Sequence, residues 1–226
     1  IYGDHAIVGA HHEDEDINGT NTISNCGSAY IYEKNGSGNW VEVQKIVASD
    51  RGGYDRYGFS VTTHGEYIAV GAHNIEAGQG AVYLYKKNGS GTWVEHQKLV
   101  APTRRSGSGF GYSISMNGNY LIVGARGESY DENETNSINF SGAAYIFELN
   151  GTTWSFAQKI VASDRAIENY FGHSAAITEE GYAAIGAYWN DTDENGLNPI
   201  SRAGAAYIFE RNSSGNWTEV QKVTAI

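Results

Sequence analysis

Residues 110–125 read FGYSISMNGNYLIVGA, two short apolar segments joined by an Asn-Gly turn. The second segment, apolar residues followed by Gly-Ala, occurs four times along the chain, with its glycine at Gly9, Gly71, Gly124 and Gly186. The first segment, an aromatic residue followed by Gly-x-Ser, occurs three times and starts at Tyr57, Phe110 and Phe171. Self-similarity of this kind predicts a repeat architecture.

Two more positions recur in every repeat, and we call each set of equivalent residues a column. One is a tyrosine in a continuous apolar segment, at Tyr30, Tyr83, Tyr145 and Tyr207. The other is a tryptophan followed four and five residues later by Gln and Lys, at Trp40, Trp93, Trp154 and Trp217. Equivalent positions lie 53 to 63 residues apart. Each unit therefore holds four short segments separated by Gly, Asn and Ser, which predicts a four-stranded antiparallel meander.

The fourth segment of each unit carries Glu, Gln and Lys, which is typical of an outer edge strand. Its lysines are predicted to discourage sheet-to-sheet aggregation; they are Lys45, Lys98, Lys159 and Lys222. Its tryptophans are expected to pack between neighbouring units.

These units predict an all-β fold, a β-propeller of four-stranded antiparallel blades with four repeats in this chain, because a single blade cannot bury both faces without neighbours. The chain is then one domain, 1–226, with repeats at approximately 1–49, 50–102, 103–163 and 164–226. An extended stack of β-units is the competing architecture.

The number of predicted strands leaves one blade without its inner strand. The aromatic-Gly strand occurs three times and the other strands four times, so fifteen strands are expected and one inner strand is missing. Residues beyond the ends, a larger ring, or strand addition by another chain would supply it. If copies of the chain add strands to one another head-to-tail and do not close into a ring, they form a filament.

The aromatic-Gly pairs, each followed 13 or 14 residues later by Gly-Ala, resemble the FG-GAP repeat of integrin α-chain propellers and their bacterial relatives. The resemblance covers essentially the whole chain and implies propeller blades with an extracellular or cell-surface adhesion or ligand-binding role. Two features depart from the family pattern. The proline after Gly-Ala is replaced by His11, His73, Arg126 and Tyr188, and the calcium loop between the two motifs is absent.

Composition excludes several function classes. Lys+Arg 15 against Asp+Glu 26 gives a net charge of −11, which repels nucleic acid and anionic lipid. No apolar run is long enough for a membrane span, and the chain opens at Ile1 without a signal-like segment, so we expect a soluble, processed or trimmed protein. The single Cys26 excludes an internal disulfide framework.

Enzymatic motifs are missing from the sequence. There is no Gly-x-Ser-x-Gly elbow, and the glycines around Phe110 are not followed by a helix that could cradle phosphate. We therefore expect a non-enzymatic protein without an organic cofactor.

Long loops after three of the Gly-Ala runs carry alternating Asp and Asn, as in the first half of a calcium loop. The candidate Ca²⁺ ligands are Asp14, Asp16, Asn18, Asp131, Asn133, Asp191, Asp193 and Asn195. The bidentate Glu of the second half is replaced by Asn25 and Arg202. The alternative is a solvated turn in which these side chains bond their own backbone.

Asn-x-Ser/Thr sequons form a second class of candidate site, predicting N-glycosylation of a secreted protein. The nine asparagines are Asn18, Asn35, Asn88, Asn133, Asn139, Asn150, Asn190, Asn212 and Asn216. The alternative is turn chemistry alone.

The residues after each Gly-Ala form the third class. Repeat symmetry places His11, His73, Arg126, Tyr188 and Trp189 on one face as a mixed aromatic and polar rim, suited to a glycan or peptide ligand. Zinc at His11, His12 and His73 is an alternative, although this pattern has no specific ligand spacing.

Together these features predict an extracellular, non-enzymatic adhesion or structural module that polymerises head-to-tail into a glycosylated filament. Its partners are a protein or glycan ligand, or copies of itself. The alternative is a carbohydrate-binding, lectin-like propeller, and a hydrolase is the third hypothesis.

Overall fold

The computed structural model describes residues 1–193 and 201–224, which form an all-β protein of four antiparallel sheets. The first sheet has three strands, β1 (His5–Ala10), β2 (Ser28–Lys34) and β3 (Trp40–Ile46). The second has β4 (Ser60–His64), β5 (Tyr67–Ala72), β6 (Ala81–Lys87) and β7 (Trp93–Leu99). The third has β8 (Phe110–Asn117), β9 (Tyr120–Ala125), β10 (Ala143–Asn150) and β11 (Thr153–Ile160). The fourth has β12 (Phe171–Ile177), β13 (Tyr182–Ala187), β14 (Ala205–Arg211) and β15 (Trp217–Thr224).

Each sheet is a meander in sequence order, so the meander predicted from the repeat is confirmed, and the described residues hold the fifteen strands that the repeat predicts. The hairpin before each last strand is closed by side-chain chemistry in three of the sheets. The Asn35 Oδ1 accepts the backbone N–H groups of Ser37 and Asn39, and Asn88 and Asn212 do the same in their turns. Residues 75–78 form one short helical turn after β5.

Consecutive sheets pack face to face through three hydrophobic clusters, each built from two adjacent sheets. The glycine of the Gly-Ala run makes this approach possible. A Cβ on Gly124 would lie 2.1 Å from the carbonyl oxygen of Gly172 in the next sheet, so no other residue fits there. The same carbonyl accepts a hydrogen bond from Ser113 Oγ at 2.9 Å. The two sequence motifs therefore meet between repeats as well as within them.

The lysine prediction is wrong. The amines fold inward to a carboxylate and a tyrosine hydroxyl instead of standing as charges on an outer edge. In the third sheet Lys159 is 5% exposed and lies near Glu128, which also accepts a hydrogen bond from Tyr145. Equivalent groups are Lys45 with Glu13 and Tyr30, Lys98 with Asp50 and Tyr83, and Lys222 with Asp164 and Tyr207. The repeat predicted where each lysine lies on its strand, and the acidic residue in a neighbouring loop determines which way the lysine side chain points.

The two ends of the array are uncovered. Ile160 is 3% exposed in the third junction, whereas its equivalent on the fourth sheet, Val223, is 44% exposed. On the first sheet Trp40 is 38% exposed, while the other three tryptophans of that column are buried as expected. The four sheets are consistent with β-propeller blades, and in the part of the chain described here no hydrophobic cluster joins the last sheet to the first. No helix among these residues is long and apolar enough to cross a membrane.

Candidate functional site

The rim residues predicted from the sequence do come together, as part of a continuous row of rings at one end of the sheets. The ring centroids of His11 and Phe59 are 5.1 Å apart, and those of Phe59 and His73 are 4.3 Å apart. The row continues from His73 to Tyr112 at 5.2 Å. It then runs from Tyr112 to His173 at 5.2 Å, from His173 to Tyr188 at 4.8 Å, and from Tyr188 to Trp189 at 5.8 Å. We call this row the aromatic ladder.

Three of the seven rings of the ladder were missed by sequence reasoning. Phe59, Tyr112 and His173 each follow the aromatic-Gly pair, at the variable position of the Gly-x-Ser motif. They lie beside the residues that follow Gly-Ala, because the inner strand begins at the edge of the sheet where its antiparallel neighbour ends. Three aromatic or imidazole rings at one repeat position were the signal available in the sequence.

Arginine 126 completes the ladder at the third sheet. Its guanidinium carbon lies 4.1 Å from the centroid of the Tyr112 ring and 5.5 Å from that of Tyr170. Tyr170 contacts Trp189, over which Arg202 lies at 4.6 Å. Arginine and aromatic rings attract in this arrangement, and a guanidinium stacked on a ring still presents its N–H donors at the edge.

The imidazoles of the ladder are neutral at neutral pH. Burial, followed by the nearby Arg126 and Arg56, lowers the pKa of His73 to about 4. Burial and then Arg126 lower the pKa of His173, and burial, His12 and Arg56 lower that of His11. The Nδ1 of His73 is buried without a hydrogen-bond partner in the described residues. The fixed positive charge of this end therefore resides on the arginines.

Unusual backbone geometry places two further side chains beside the ladder. The residue before the aromatic-Gly pair is left-handed in every complete sheet: φ is 56° at Arg56, 66° at Gly109 and 52° at Tyr170. Each backbone N–H is fixed by a carbonyl of the preceding sheet, as in the 3.0 Å bond from Tyr170 to Phe140. Non-glycine residues adopt this conformation at a cost, and such strain is concentrated at functional sites.

A cavity of about 280 Å³ opens beside Arg126. Its lining includes His73, Tyr112, Phe140 and Tyr170, which give flat apolar faces with polar edges. Rings of this kind suit a ligand that has both an apolar face and hydroxyl or charged groups, as a sugar has.

The carboxylates of the acidic loops bond their own loop, as the alternative interpretation expected. Asp16 accepts the backbone N–H groups of Asn18 and Thr20 and the side-chain amide of Asn21. Hydrogen bonds from the Thr20 amide, followed by those from Asn21 and Asn18, hold the pKa of Asp16 well below its usual range despite some desolvation. Asp131 has the same arrangement with Thr135 and Asn136.

Asp14, Ser129 and Asp191, which occupy the same position in the three long loops, each hydrogen-bond a backbone N–H near the end of their own loop. Asp14 Oδ1 accepts the backbone N–H of Asn25 at 2.6 Å, and Asp191 Oδ1 accepts that of Arg202. Ser129 Oγ does the same with Phe140 at 3.1 Å. Asn25, Phe140 and Arg202 are all left-handed, so this column holds a tight turn.

Calcium coordination by these loops stays a prediction. The side chains of Asn18 and Asn133 are exposed, and Asp193 is buried. Asn195 lies outside the described residues. Within residues 1–193 and 201–224 no group of three or more His, Cys, Asp or Glu side chains is arranged to hold a metal ion.

Eight of the nine sequon asparagines are exposed, on loops and hairpin turns. The ninth, Asn190, is 1% exposed, and its Nδ2 donates to the Tyr207 hydroxyl at 3.0 Å. That nitrogen is the atom a glycan would occupy. Asn190 is thus inaccessible in the folded state, whereas the other eight present free side-chain nitrogens or open surface.

Comparison with known proteins gave one result. A family model described as the FG-GAP repeat matches residues 40–85, 93–147 and 154–209, more than two thirds of the chain. A search of curated proteins found no match.

Proposed function

Because the chain belongs to the FG-GAP repeat family, whose repeats are typical of β-propeller modules in adhesion and ligand binding, we propose that it is a non-enzymatic adhesion module of four propeller blades. It acts outside the cell or at the cell surface, displays its loops to protein or glycan ligands, and joins copies of itself head-to-tail.

The pair of uncovered end faces carries this proposal. On the fourth sheet, Ala206, Ile208 and Val223 occupy the positions that Ala144, Ile146 and Ile160 occupy in the third sheet. The third-sheet residues are buried, and the fourth-sheet residues are partly or fully open. On the first sheet, Val8 is 53% exposed where its equivalents are buried. The outer faces of the fourth and first sheets therefore carry the two sides of the same sheet-to-sheet contact that the chain forms three times between its own consecutive sheets.

Hydrogen-bonding groups support the same pairing. At each internal junction a glutamine binds the backbone of the tryptophan on the next sheet, as Gln158 binds Trp217. Gln221 is the fourth glutamine of this column, and its side chain has no hydrogen bond among the described residues. Trp40 is the tryptophan left without a glutamine, since the other three are bound at the internal junctions. A head-to-tail contact would bring these two together.

An inner strand completes the joint. The outer edge of β1 is unpaired, and a Cβ on Gly186 would meet no backbone of a following sheet, unlike one on Gly124. One aromatic-Gly-x-Ser strand laid between the copies would pair with β1 and contact Gly186. A peptide that copies residues 107–119 is the natural probe for this position.

Electron microscopy and sedimentation of the whole chain, with and without that peptide, test the assembly. We expect concentration-dependent chains, strengthened by the peptide and weakened by Val223→Lys. Val220→Lys is the matched control, because Val43 at the same column stays 47% exposed beside a filled junction. Monomers at every concentration, with or without peptide, would overturn head-to-tail assembly.

Intact mass and calcium titration test two further parts of the proposal. In a secreted product from a glycosylating host, we expect added hexose-sized mass at the eight exposed sequons and none at Asn190. Calcium bound in the acidic loops would raise the thermal midpoint. The loops around Asp16 and Asp131 would have to exchange amide hydrogen bonds for the ion, so we expect the affinity to be weak.

A second candidate function, carbohydrate binding, is favoured by the aromatic ladder. The rings of this row are exposed or half-buried at the end of the sheets, and rings of this type contact the apolar faces of sugars. Binding to a glycan array that is lost on Tyr188→Ala or Trp189→Ala would support it. Binding unchanged by both substitutions would place the ligand elsewhere.

A further inference from the structure

The basic residues of this chain differ sharply in their partners. Ten of the fifteen form ion pairs with acidic side chains. Arg51 and Arg165 donate to backbone carbonyls of the acidic loops. Only Arg56, Arg126 and Arg202 have neither kind of partner for their guanidinium groups within the described residues.

All three of these arginines lie along the aromatic ladder. Arg56 contacts the His12 ring nitrogen at 3.3 Å, beside His11 at the first sheet. Arg126 stacks on Tyr112 at the third sheet, and Arg202 stacks on Trp189 at the fourth. Within residues 1–193 and 201–224, the ladder therefore carries three cations without an ion-pair partner, at the first, third and fourth sheets.

This distribution is unexpected for a protein with a net charge of −11. Acids outnumber bases, so an arginine with only a structural role readily finds a carboxylate, as ten basic residues here do. Among the described residues, the guanidinium groups of these three arginines contact the His12 ring and the aromatic rings of Tyr112, Tyr170 and Trp189. Asp191 binds the backbone N–H of Arg202 and not its guanidinium. No acidic group is among the causes of the lowered pKa values of His11, His73 and His173. Their N–H donors are left for an external acceptor.

We propose that the aromatic ladder binds an acidic oligosaccharide, whose sugar rings lie on the ladder rings and whose carboxylates are held by Arg126, Arg56 and Arg202. This inference rests on the carbohydrate-binding function proposed above and assigns its ligand class. A guanidinium binds a carboxylate through two parallel hydrogen bonds, which gives both affinity and orientation. A row of rings with cations at intervals matches a polymer of flat units that carry charge at intervals.

Backbone geometry supports a role for these side chains beyond packing. Arg56 keeps its side chain at a left-handed position, φ 56°, where the equivalent residue of the next repeat is Gly109. Glycine would relieve the strain at Arg56, and the side chain makes no contact there that the core requires. Retaining arginine at such a position is accounted for by a ligand contact.

The test is calorimetric binding of oligogalacturonate, six to eight sugars long, compared with its fully methyl-esterified form. At about 0.15 M ionic strength, charges more than about 8 Å away are largely screened, so the remote acids of the protein contribute little. We expect the acid form to bind at least about tenfold more tightly than the ester. Arg126→Gln should weaken acid binding roughly ten- to a hundredfold, as expected for a lost charged hydrogen bond. Arg211→Gln is the control, because Arg211 is paired with Glu148 at the other end of β14.

The other outcomes separate the inference from the function on which it rests. Equal binding of acid and ester, both lost on Tyr112→Ala, would overturn the acidic ligand and leave carbohydrate binding in place. No binding of either form would overturn both for this ligand class. Poly-glutamate bound as tightly as oligogalacturonate would overturn the sugar assignment. If Arg126→Gln does not fold by circular dichroism, Arg202→Gln at the exposed end of the ladder makes the same test.

Discussion

Gln158 of β11 and Trp217 of β15 exchange two hydrogen bonds across the junction between the third and fourth sheets. Gln158 Nε2 donates to the Trp217 carbonyl at 2.8 Å, and Gln158 Oε1 accepts the Trp217 N–H at 2.7 Å. The pair ties the outer strands of two sheets whose hydrophobic faces already pack. It is also the contact that Gln221 lacks.

Gln158→Leu is expected to destabilise the fold by about 1–3 kcal/mol, because it leaves a part-buried N–H and carbonyl unpaired. Gln221→Leu, at the same repeat position without a partner, should change the free energy of unfolding by less than about 0.5 kcal/mol in dilute monomer. Urea unfolding of both variants measures this. Equal losses would mean that the contact contributes nothing specific.

Gly124→Ala is expected to cost about 1–3 kcal/mol or more, since its Cβ would lie 2.1 Å from the Gly172 carbonyl oxygen, a backbone atom with no room to move. Gly186→Ala is the matched control. Its Cβ would meet only the Ser174 hydroxyl, which belongs to an exposed side chain free to rotate. Thermal unfolding midpoints compare the two, and a similar drop in both would contradict this account of the junction.

Lys159→Met should lower the free energy of unfolding by about 3–5 kcal/mol, because Glu128 is fully buried and would lose the cation 3.8 Å away, and Glu134 would lose its hydrogen bond from Lys159 Nζ. The double variant Lys159→Met with Glu128→Gln also removes the buried Glu128 charge, while Glu134 keeps its ion pair with Arg105, and should recover much of that loss. A double variant as unstable as the single one would show that packing of the lysine stem, and not the charge, is responsible.

Arg56→Gly separates binding from folding. Relief of the left-handed strain at Arg56 offsets the added freedom of glycine in the unfolded chain, so stability should change by no more than about 1 kcal/mol. Oligogalacturonate binding should fall. Gly109→Ala tests the same backbone conformation in reverse and should destabilise the protein. Binding unaffected by Arg56→Gly would remove Arg56 from the ligand contact.

Acidification should weaken the fold through His73. Its pKa is about 4 in the folded protein and near 6.5 when unfolded, so the unfolded chain binds the extra proton between these values. The stabilising contribution is complete above pH 6.5 and is lost as the pH falls toward 4. Burial opposes the protonation of His73 most strongly, followed by the positive charges of Arg126 and Arg56 and by the neighbouring His11.

Urea midpoints measured between pH 4 and 7 should fall less steeply with acidification in His73→Phe than in the unmodified chain. An unchanged slope in His73→Phe would assign the acid sensitivity to other groups.

The local architecture could be predicted from the sequence because it depends on neighbours along the chain. Alternating apolar segments and Asn-Gly turns fix strands and hairpins within a unit, so the four meanders of the described residues, the first of them with three strands, followed from the repeat around Gly124. The burial of Trp93, Trp154 and Trp217 followed from the same pattern.

The site depends on contacts between repeats, which pattern alone does not specify. Whether Phe59, Tyr112 and His173 point to a common row depends on how the ends of adjacent sheets meet. Lys159 turned inward because an acidic residue from a loop lies above it, and Asn190 became buried because Tyr207 lies beside it.

The sequence by itself determined that residues 1–226 hold a series of β-meanders of FG-GAP repeat type. Only the tertiary structure decided which side chains form the ladder and which arginines have no ion-pair partner among the described residues. The physical reason is the distance along the chain over which each effect acts. Backbone preferences and strand periodicity act over a few residues, whereas the ladder joins side chains from repeats 53 to 63 residues apart.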